Sequence, residues 1–405
     1  MDESAARRLL LARGLRDFGD GFVAILLPVH LAVLGLSAAE IGLAATLALL
    51  GSAVMTILMG LWGGRFSPRS LLLGCAALMA ATGAAFAVAE APGLILLIAA
   101  LGTVNPSAGT ASVFVPVEQA ALSGCVADRG RTALFARYSL IGAVAAALGA
   151  LAAASPEILE GMGWSQLGAL RAMFALYAAL GIAGGIVYRG IAAGGTSRPR
   201  AGRLGPSRRI VQRLALLFSL DSFAGGFAVQ SLMALWLFER FELPLATAAL
   251  FFFWSGVLGA MSQPLAGWLG ARIGLVNTMV WTHIPASLCL MAAAMAPSLG
   301  AALALLLLRA ALSQMDVPAR TSYVMAVVTP DERTAAAAFT AVPRSLAAAG
   351  GPVIAGLLFA GGYDAWPFLL CGGLKILYDL LLLRAFRHLR PPEEAARLGG
   401  PGPRP

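Results

Sequence analysis

Apolar runs long enough to cross a bilayer follow one another along the chain, separated by short polar breaks. A crossing takes about 20 mainly apolar residues in a helix. On that measure the first half predicts helices over 12–35, 39–62, 70–90, 93–123, 131–154 and 167–189. The second half predicts 211–238, 245–270, 275–296, 298–328, 334–360 and 367–386. Turn residues sit in the breaks: Gly63-Gly64, Ala91-Pro92-Gly93, Ser155-Pro156, Leu243-Pro244, Ala296-Pro297 and Thr329-Pro330-Asp331. The expected fold class is an all-α membrane protein of twelve transmembrane helices in two pseudo-symmetric six-helix bundles.

The pseudo-symmetry comes from an internal repeat. Pro116 to Ala133 matches Pro318 to Ala335 at a shift of 202, aligning Val126 with Val328 and Arg131-Thr132 with Arg333-Thr334. Phe18-Gly19-Asp20-Gly21-Phe22 echoes Phe223-Ala224-Gly225-Gly226-Phe227 at a shift of 205. Gly60 to Arg65 echoes Gly267 to Arg272 at 207. Three echoes in one order at nearly one shift mean a duplicated six-helix unit. The expected division is an N-terminal bundle over 1–190, a basic linker over 191–210, a C-terminal bundle over 211–390 and a tail over 391–405.

Composition adds the solvent. The chain of 405 residues is 59% hydrophobic and 12% charged, with a mean hydropathy of +0.82. A soluble interior cannot hide that much apolar surface, so the excess faces lipid. The net charge of +9 does not point to nucleic acid, because the arginines lie mostly between the apolar runs and set orientation. Arg189, Arg198, Arg200, Arg203, Arg208, Arg209 and Arg213 fill the central linker with no acid among them, and the tail adds Arg384, Arg387, Arg390, Arg397 and Arg404. The alternate side carries Glu157, Glu160 and Asp364, with Arg240 as the exception. Both termini and the linker are therefore expected in the cytoplasm, with the protein in the cell (inner) membrane. The first run follows a charged stretch without a small-residue cleavage site, which reads as an uncleaved helix. Cys75, Cys125, Cys289 and Cys371 are too scattered for a metal or disulfide framework. No cofactor and no metal are expected, and no phosphate-binding loop for an ATPase motor is present.

Two six-helix halves, a basic central loop and a Gly-rich, Arg-bearing turn after helices 2 and 8 resemble the major facilitator superfamily over essentially the whole chain. That family's turn reads Gly-x-x-x-Asp-Arg-x-Gly-Arg-Arg. Gly60, Arg65 and Arg69 match it in the first copy, and Gly267, Arg272 and Gly274 in the second; Gly64 and Ala271 replace the acid. The resemblance implies a conformational role for Gly60, Arg65, Gly267 and Arg272, without the charged latch. It also implies a central cavity lined by helices 1, 4, 7 and 10. The arginine common in helix 4 of proton-coupled exporters is missing, and Gly351-Pro352 falls in helix 11.

A charge inside a span is costly and usually faces a cavity or a partner. Asp17 and Asp20 share one face of helix 1. Asp17 reads as neutralised by Arg13 or Arg16 and Asp20 as functional. In helix 10, Arg309, Ser313, Asp316 and Arg320 fall on one face at spacings of four, three and four. Their helix-4 counterparts include Ser107 and Glu118. Glu118 and Arg320 could pair across the cavity, or Asp316 and Arg320 could pair within helix 10. Gln230 in helix 7 is a candidate substrate contact, whereas Asp221 at the membrane edge reads as structural. Phe22, Phe223, Phe227, Trp236 and Trp254 could form an aromatic wall. His30 and His283 read as satisfied core groups, and Lys375 with Asp379 as a local ion pair. Gly142, Ala146 and Ala150 form a small-residue stripe for helix packing.

The function expected is alternating-access secondary transport, with no enzymatic activity. The first reading is proton-coupled efflux of drug-like or amphipathic compounds, with protonation at Asp20 assisted by Glu118 or Asp316. A second is movement of a polar metabolite or anion held by Arg309 and Arg320. A third is a non-transporting receptor. The expected partners are a small-molecule substrate, protons and the lipid bilayer, with no nucleic acid, and the working unit is a monomer.

Overall fold

A computed structural model describes residues 3–108, 112–123, 125, 128–191, 205–329 and 332–386. The basic linker's centre, Pro330-Asp331 and the tail from residue 387 lie outside the described residues, as do the side chains of Arg131 and Thr132. Among the described residues there is no β-strand, as an apolar solvent requires: a helix satisfies its own backbone groups where lipid offers none.

The first half folds as α1 (Glu3–Val33), α2 (Ala38–Trp62), α3 (Pro68–Val88), α4 (Pro92–Leu101), α5 (Phe114–Ser123), α6 (Asp128–Ala152), α7 (Ser155–Gly161) and α8 (Gln166–Arg189). The second half continues with α9 (Arg208–Gly226), α10 (Gln230–Phe241), α11 (Leu245–Ile273), α12 (Leu275–Ala294), α13 (Leu299–Ser313), α14 (Asp316–Val327), α15 (Arg333–Ala360) and α16 (Trp366–Phe386). The starts are written in the sequence. Ser37 and Glu40 form a reciprocal capping box on α2. Ser67, Ser165 and Ser298 cap α3, α8 and α13. Pro68 and Pro92 open α3 and α4, where a missing N–H costs nothing.

Among the described residues, ten segments are long and apolar enough to cross a membrane, including Arg208–Phe241 and Leu299–Val327, which each run through a break. Two expected spans are not among the ten. The first, α1, is one continuous helix whose apolar run carries Arg13, Arg16, Asp17 and Asp20. The fourth, expected as one helix over 93–123, is broken. It stops at Leu101, with Gly102 closing α4 and Asn105-Pro106 in the gap, and resumes at Phe114. A residue before proline is disfavoured in helical geometry and the proline itself has no N–H to give, which together with Gly102 favours a break here. The seventh and tenth expected spans are also interrupted, between Gly226 and Gln230 and between Ser313 and Asp316. The backbone freed at one break is used at another: Ser231 N–H donates to Pro106 C=O at 3.0 Å.

The chain forms two compact units that do not follow the halves of the sequence. Unit 1 is Met1–Arg198 with Ala228–Val257 and Pro352–Asp364; unit 2 is Pro199–Phe227, Leu258–Gly351 and Ala365–Pro405. Unit 1 gains its second-half segments through close backbone contacts. A Cβ at Gly42 would lie 2.5 Å from Pro352 O and 2.8 Å from Gly356 Cα. Val353 N–H donates to Thr46 Oγ1 at 2.9 Å, and Leu245 N–H to Glu157 Oε1 at 2.5 Å. The small-residue face of α6 packs on α1 as expected, with the Phe18 carbonyl against Gly149 and the Ala146 carbonyl against Gly21. In unit 2 the core gathers Val211, Leu214, Phe218, Met279, Tyr323 and Tyr378 from α9, α12, α14 and α16.

Candidate functional site

Each unit encloses one network of charged side chains. In unit 1 it begins on α1. Arg13 Nε lies 2.7 Å from Asp17 Oδ2, and Arg16 Nη2 3.1 Å from Asp17 Oδ1, so Asp17 is neutralised locally, as expected. Arg16 also reaches α5, where its Nη1 donates to Glu118 Oε2 at 2.9 Å. Glu118 is fully buried and accepts two further bonds at 2.5 Å, from Tyr138 of α6 and Tyr188 of α8. The Arg16 guanidinium lies over the Phe114 ring, 4.9 Å from its centroid. Two cations and two carboxylates balance inside the unit.

Asp20, one turn deeper, is different. It is 1% exposed, and among the described residues it takes part in no ion pair. Its donor is Tyr177 OH of α8, at 3.2 Å from Oδ1. The same hydroxyl lies 3.1 Å from Thr103 Oγ1 and 3.2 Å from Thr103 O, in the gap between α4 and α5. The broken span is thereby tied to the buried acid. Phe22 packs edge-on to Tyr177 and Trp236 is buried, whereas Trp254 is half exposed and leaves the expected aromatic wall.

The network in unit 2 was only partly expected. Asp221 of α9 is a hub: Lys375 Nζ lies 2.7 Å from its Oδ1 and Arg320 Nη1 2.9 Å from its Oδ2. Arg320 also pairs within α14, 3.3 Å from Asp316, so the alternative internal to helix 10 is the one realised. Lys375 is 3.3 Å from His283 Nε2, and His283 Nδ1 is 3.1 Å from both oxygens of Asp379.

Several expectations are corrected here. Asp221 is a buried junction and not an edge residue. Lys375 and Asp379 engage Asp221 and His283 instead of each other, because α9 and α12 bring a carboxylate and an imidazole within hydrogen-bonding distance of them. Of the two alternatives for Arg320, the pair with Glu118 is the one not realised: Glu118 is committed to Arg16 and two tyrosines, and Arg320 to Asp221 and Asp316. Arg309 does not continue the face of Asp316 and Arg320, because the helix is interrupted at Gln314 and Met315. It lies half-buried beside Cys289 and Cys371. Gln230 is half-buried as the first residue of α10, directly after the break.

At the turns, Gly60 and Gly267 lie within α2 and α11 and have open space where a Cβ would go. Neither position needs glycine for packing. The glycine demanded by conformation is Gly274, at φ +90°. Arg65 and Arg272 are exposed, the latter stacked on Trp268 at 4.0 Å. A cavity of about 390 Å³ lies between α2 and α3, lined by Met55, Met59, Phe66, Leu71, Cys75 and Val113. None of the candidate residues lines it.

A profile of the Major Facilitator Superfamily matches residues 9–313 and again 214–405. The chain belongs to the Major Facilitator Superfamily. Its fold is therefore that of a transporter and not of an enzyme. An uncharacterized membrane protein of Saccharomyces cerevisiae is 23% identical over 92% of both chains. The multidrug export protein EmrB of Escherichia coli is 24% identical over 147 residues, 36% of this chain and 29% of EmrB. Among solved structures, a bacterial homologue of the human lysosomal transporter Spinster, inward-facing and occupied, superposes with a TM-score of 0.73 at 19% identity, covering 95% of this chain and 97% of that one. The D-xylose-proton symporter gives 0.72 at 15% identity, covering 93% and 96%. These superpositions establish the fold.

His283 is a satisfied buried group, as expected; what was missed is that Asp221, His283, Lys375 and Asp379 form one junction. Their signal was present: a lone lysine, a lone histidine and two acids inside apolar runs, each expensive unless paired.

Proposed function

We propose that the protein is a twelve-span secondary transporter that exports amphipathic or cationic organic compounds in exchange for protons. The observation that carries this reading is Asp20. It is a buried carboxyl with a tyrosine hydroxyl as donor and no ion-pair partner among the described residues. Every other carboxylate of the two networks is held by a cation or by His283. A proton can therefore enter or leave Asp20 without breaking an ion pair, and Tyr177 passes the change to Thr103 in the broken fourth span. Interrupted helices near the membrane centre are where transporters of this kind hold substrate and coupling ion. Gln230 beside the second break is the neighbouring substrate contact, and the cation-bound acids Glu118 and Asp316 keep each half's charge fixed while Asp20 exchanges.

Adding α1 and the α4–α5 pair to the ten candidate spans gives twelve. The basic linker supports a topology with both termini in the cytoplasm and the protein in the inner membrane, and we take the working unit to be a monomer. The EmrB likeness supports export. Arg309 supports a second reading, a polar or anionic metabolite, because among the described residues no acid pairs with it.

Ethidium accumulation in cells stripped of their main exporters tests the proposal, with the parent and Asp20→Asn expressed to equal levels. The expected result is lowered dye in the parent, abolished by a protonophore and by Asp20→Asn. Equal dye in every line refutes drug export and directs a metabolite screen to Arg309.

A further inference from the structure

The Lys375–His283–Asp379 chain is not used by the proposed exchange at Asp20, and its geometry implies a chemistry of its own. His283 is 4% exposed, on α12. The charged and titratable groups around it are Asp221 from α9, Arg309 from α13, Asp316 and Arg320 from α14, Arg344 from α15, and Cys371, Lys375, Tyr378 and Asp379 from α16. Lys375 has only donors to give. With the ammonium 3.3 Å from Nε2, that nitrogen must accept, so the imidazole proton sits on Nδ1 and is donated to Asp379. Held this way, the inner cluster sets three carboxylates (Asp221, Asp316 and Asp379) against two cations, Arg320 and Lys375. Arg344 is turned to Ser222 Oγ at 3.2 Å and makes no ion pair among the described residues. Arg344 stands within Coulomb reach of Asp221 and Asp316 without an ion pair of its own, and Nε2 is 3.8 Å from Asp221 Oδ1, just behind the ammonium that occupies it.

We propose that His283 is a second proton-binding site, and that a proton loaded on Nε2 takes over Asp221 Oδ1 from Lys375 and releases the ammonium. The proton adds to the Nε2 lone pair. No other covalent bond changes, Lys375 keeps its three protons, and the imidazolium is held between Asp379 and Asp221. The released ammonium then has no fixed partner on α9, so proton occupancy loosens the only direct α9–α16 ion pair among the described residues. This deepens the proton-coupled reading by giving unit 2 its own carrier.

The test reads the two side chains and not flux, so its failure is separate from failure of the export reading. Lys375 is the only lysine, so ¹⁵N-lysine labelling of the full chain in lipid nanodiscs gives one side-chain resonance. Histidine labelling gives a pair of ring-nitrogen resonances for each of His30, His283 and His388, and His283→Gln identifies the pair that belongs to His283. Between about pH 8 and 5, the range where imidazole charges, the His283 signal should pass from the Nδ1–H tautomer to imidazolium. The Lys375 signal should shift with the same midpoint and stay flat in His283→Gln. An imidazole that remains neutral over this range overturns the proposal, as does a Lys375 shift that persists in His283→Gln. Should that variant not fold, Asp379→Asn serves. It removes the anion that holds the imidazolium and must reduce the shift that the His283 and Lys375 signals share across this range; an unaltered shared shift overturns the proposal equally.

Discussion

Replacing Arg16 and Glu118 separately and together tests whether the buried network of unit 1 is held by charge balance. Arg13 and Arg16 face Asp17 and Glu118, so the cluster is neutral as it stands. Glu118→Gln removes one negative charge while its amide can still bond the Tyr138 and Tyr188 hydroxyls, which both donate and accept. Uncompensated buried charges created by removing one partner cost about 3–5 kcal/mol. Glu118→Gln should fall near about 3, because Asp17 still faces Arg16 at 3.1 Å. Arg16→Met leaves Glu118 with neutral donors only and should lie near about 5. Additivity would put the double variant at roughly 8 kcal/mol below the parent, enough to unfold most proteins. Charge balance puts it within about 2, because Arg13 and Asp17 remain as a matched pair and a buried ion pair can be exchanged for neutral groups at little cost. Reversible detergent-to-SDS unfolding of the four purified proteins, followed by tryptophan fluorescence, gives the cycle. A double variant as unstable as the sum of the singles refutes the reasoning; a coupling of several kcal/mol in favour of the pair supports it.

Glu332 lies outside the spans, and hydrogen bonds from Ser207, Gly205 and Thr329 hold its carboxyl below the usual carboxylate range. A group whose folded value is depressed adds stability above its unfolded value and loses it as pH falls through the folded one. Glu332→Gln should therefore lower the melting temperature at pH 7, and the gap to the parent should close only in acid below the ordinary glutamate range of about 4.3. At the other crossing, Gly356→Val must push against Ala38 O, 2.6 Å from the added Cβ, and Gly42 Cα, at 2.9 Å. Overpacking of this kind costs about 1–3 kcal/mol, to be seen as a loss in the same SDS unfolding assay, whereas Gly60→Ala, inside α2 with open space around it, should gain up to about 1 kcal/mol from helix propensity.

The spans and their caps were legible because they are local: an apolar run, a serine before it and a proline at its first turn suffice. Neutralisation of Asp17 was legible for the same reason, its partners being one and four residues away. The break in the fourth span was signalled by Gly102 and Asn105-Pro106 but outweighed by the apolar residues on either side. What the sequence could not show was which helix answers which charge. Lys375 and Asp379 stand four apart and look like a pair, yet their partners come from α9 and α12, 154 and 96 residues away. In a span the cost of a bare charge falls on whichever neighbour packs there, and spacing along one helix carries no information about that neighbour.

The repeat explains why Glu118 and Arg320 do not need one another. At the shift of 202 they are equivalent positions with opposite sign. At the shift of 205 their partners, Arg16 and Asp221, are equivalent too, so each half closes the same pair at 2.9 Å with the charges exchanged. The surroundings are exchanged with them. Arg16 lies over Phe114, the counterpart of Asp316, and Arg320 lies over Phe218, the counterpart of Arg13. Each site thus keeps one ion pair and one guanidinium on a ring, although scarcely one residue type is shared. A position at which the pair survives and its polarity does not is constrained as a pair. The requirement passed down both copies is that the first helix of each half be bound to the second segment of its broken fourth helix. Asp20 has no such counterpart: its equivalent is Gly225, and the unpaired acid occurs in one half only. The paired charges are therefore the common frame of the two halves, and the lone carboxyl is where the halves were free to diverge.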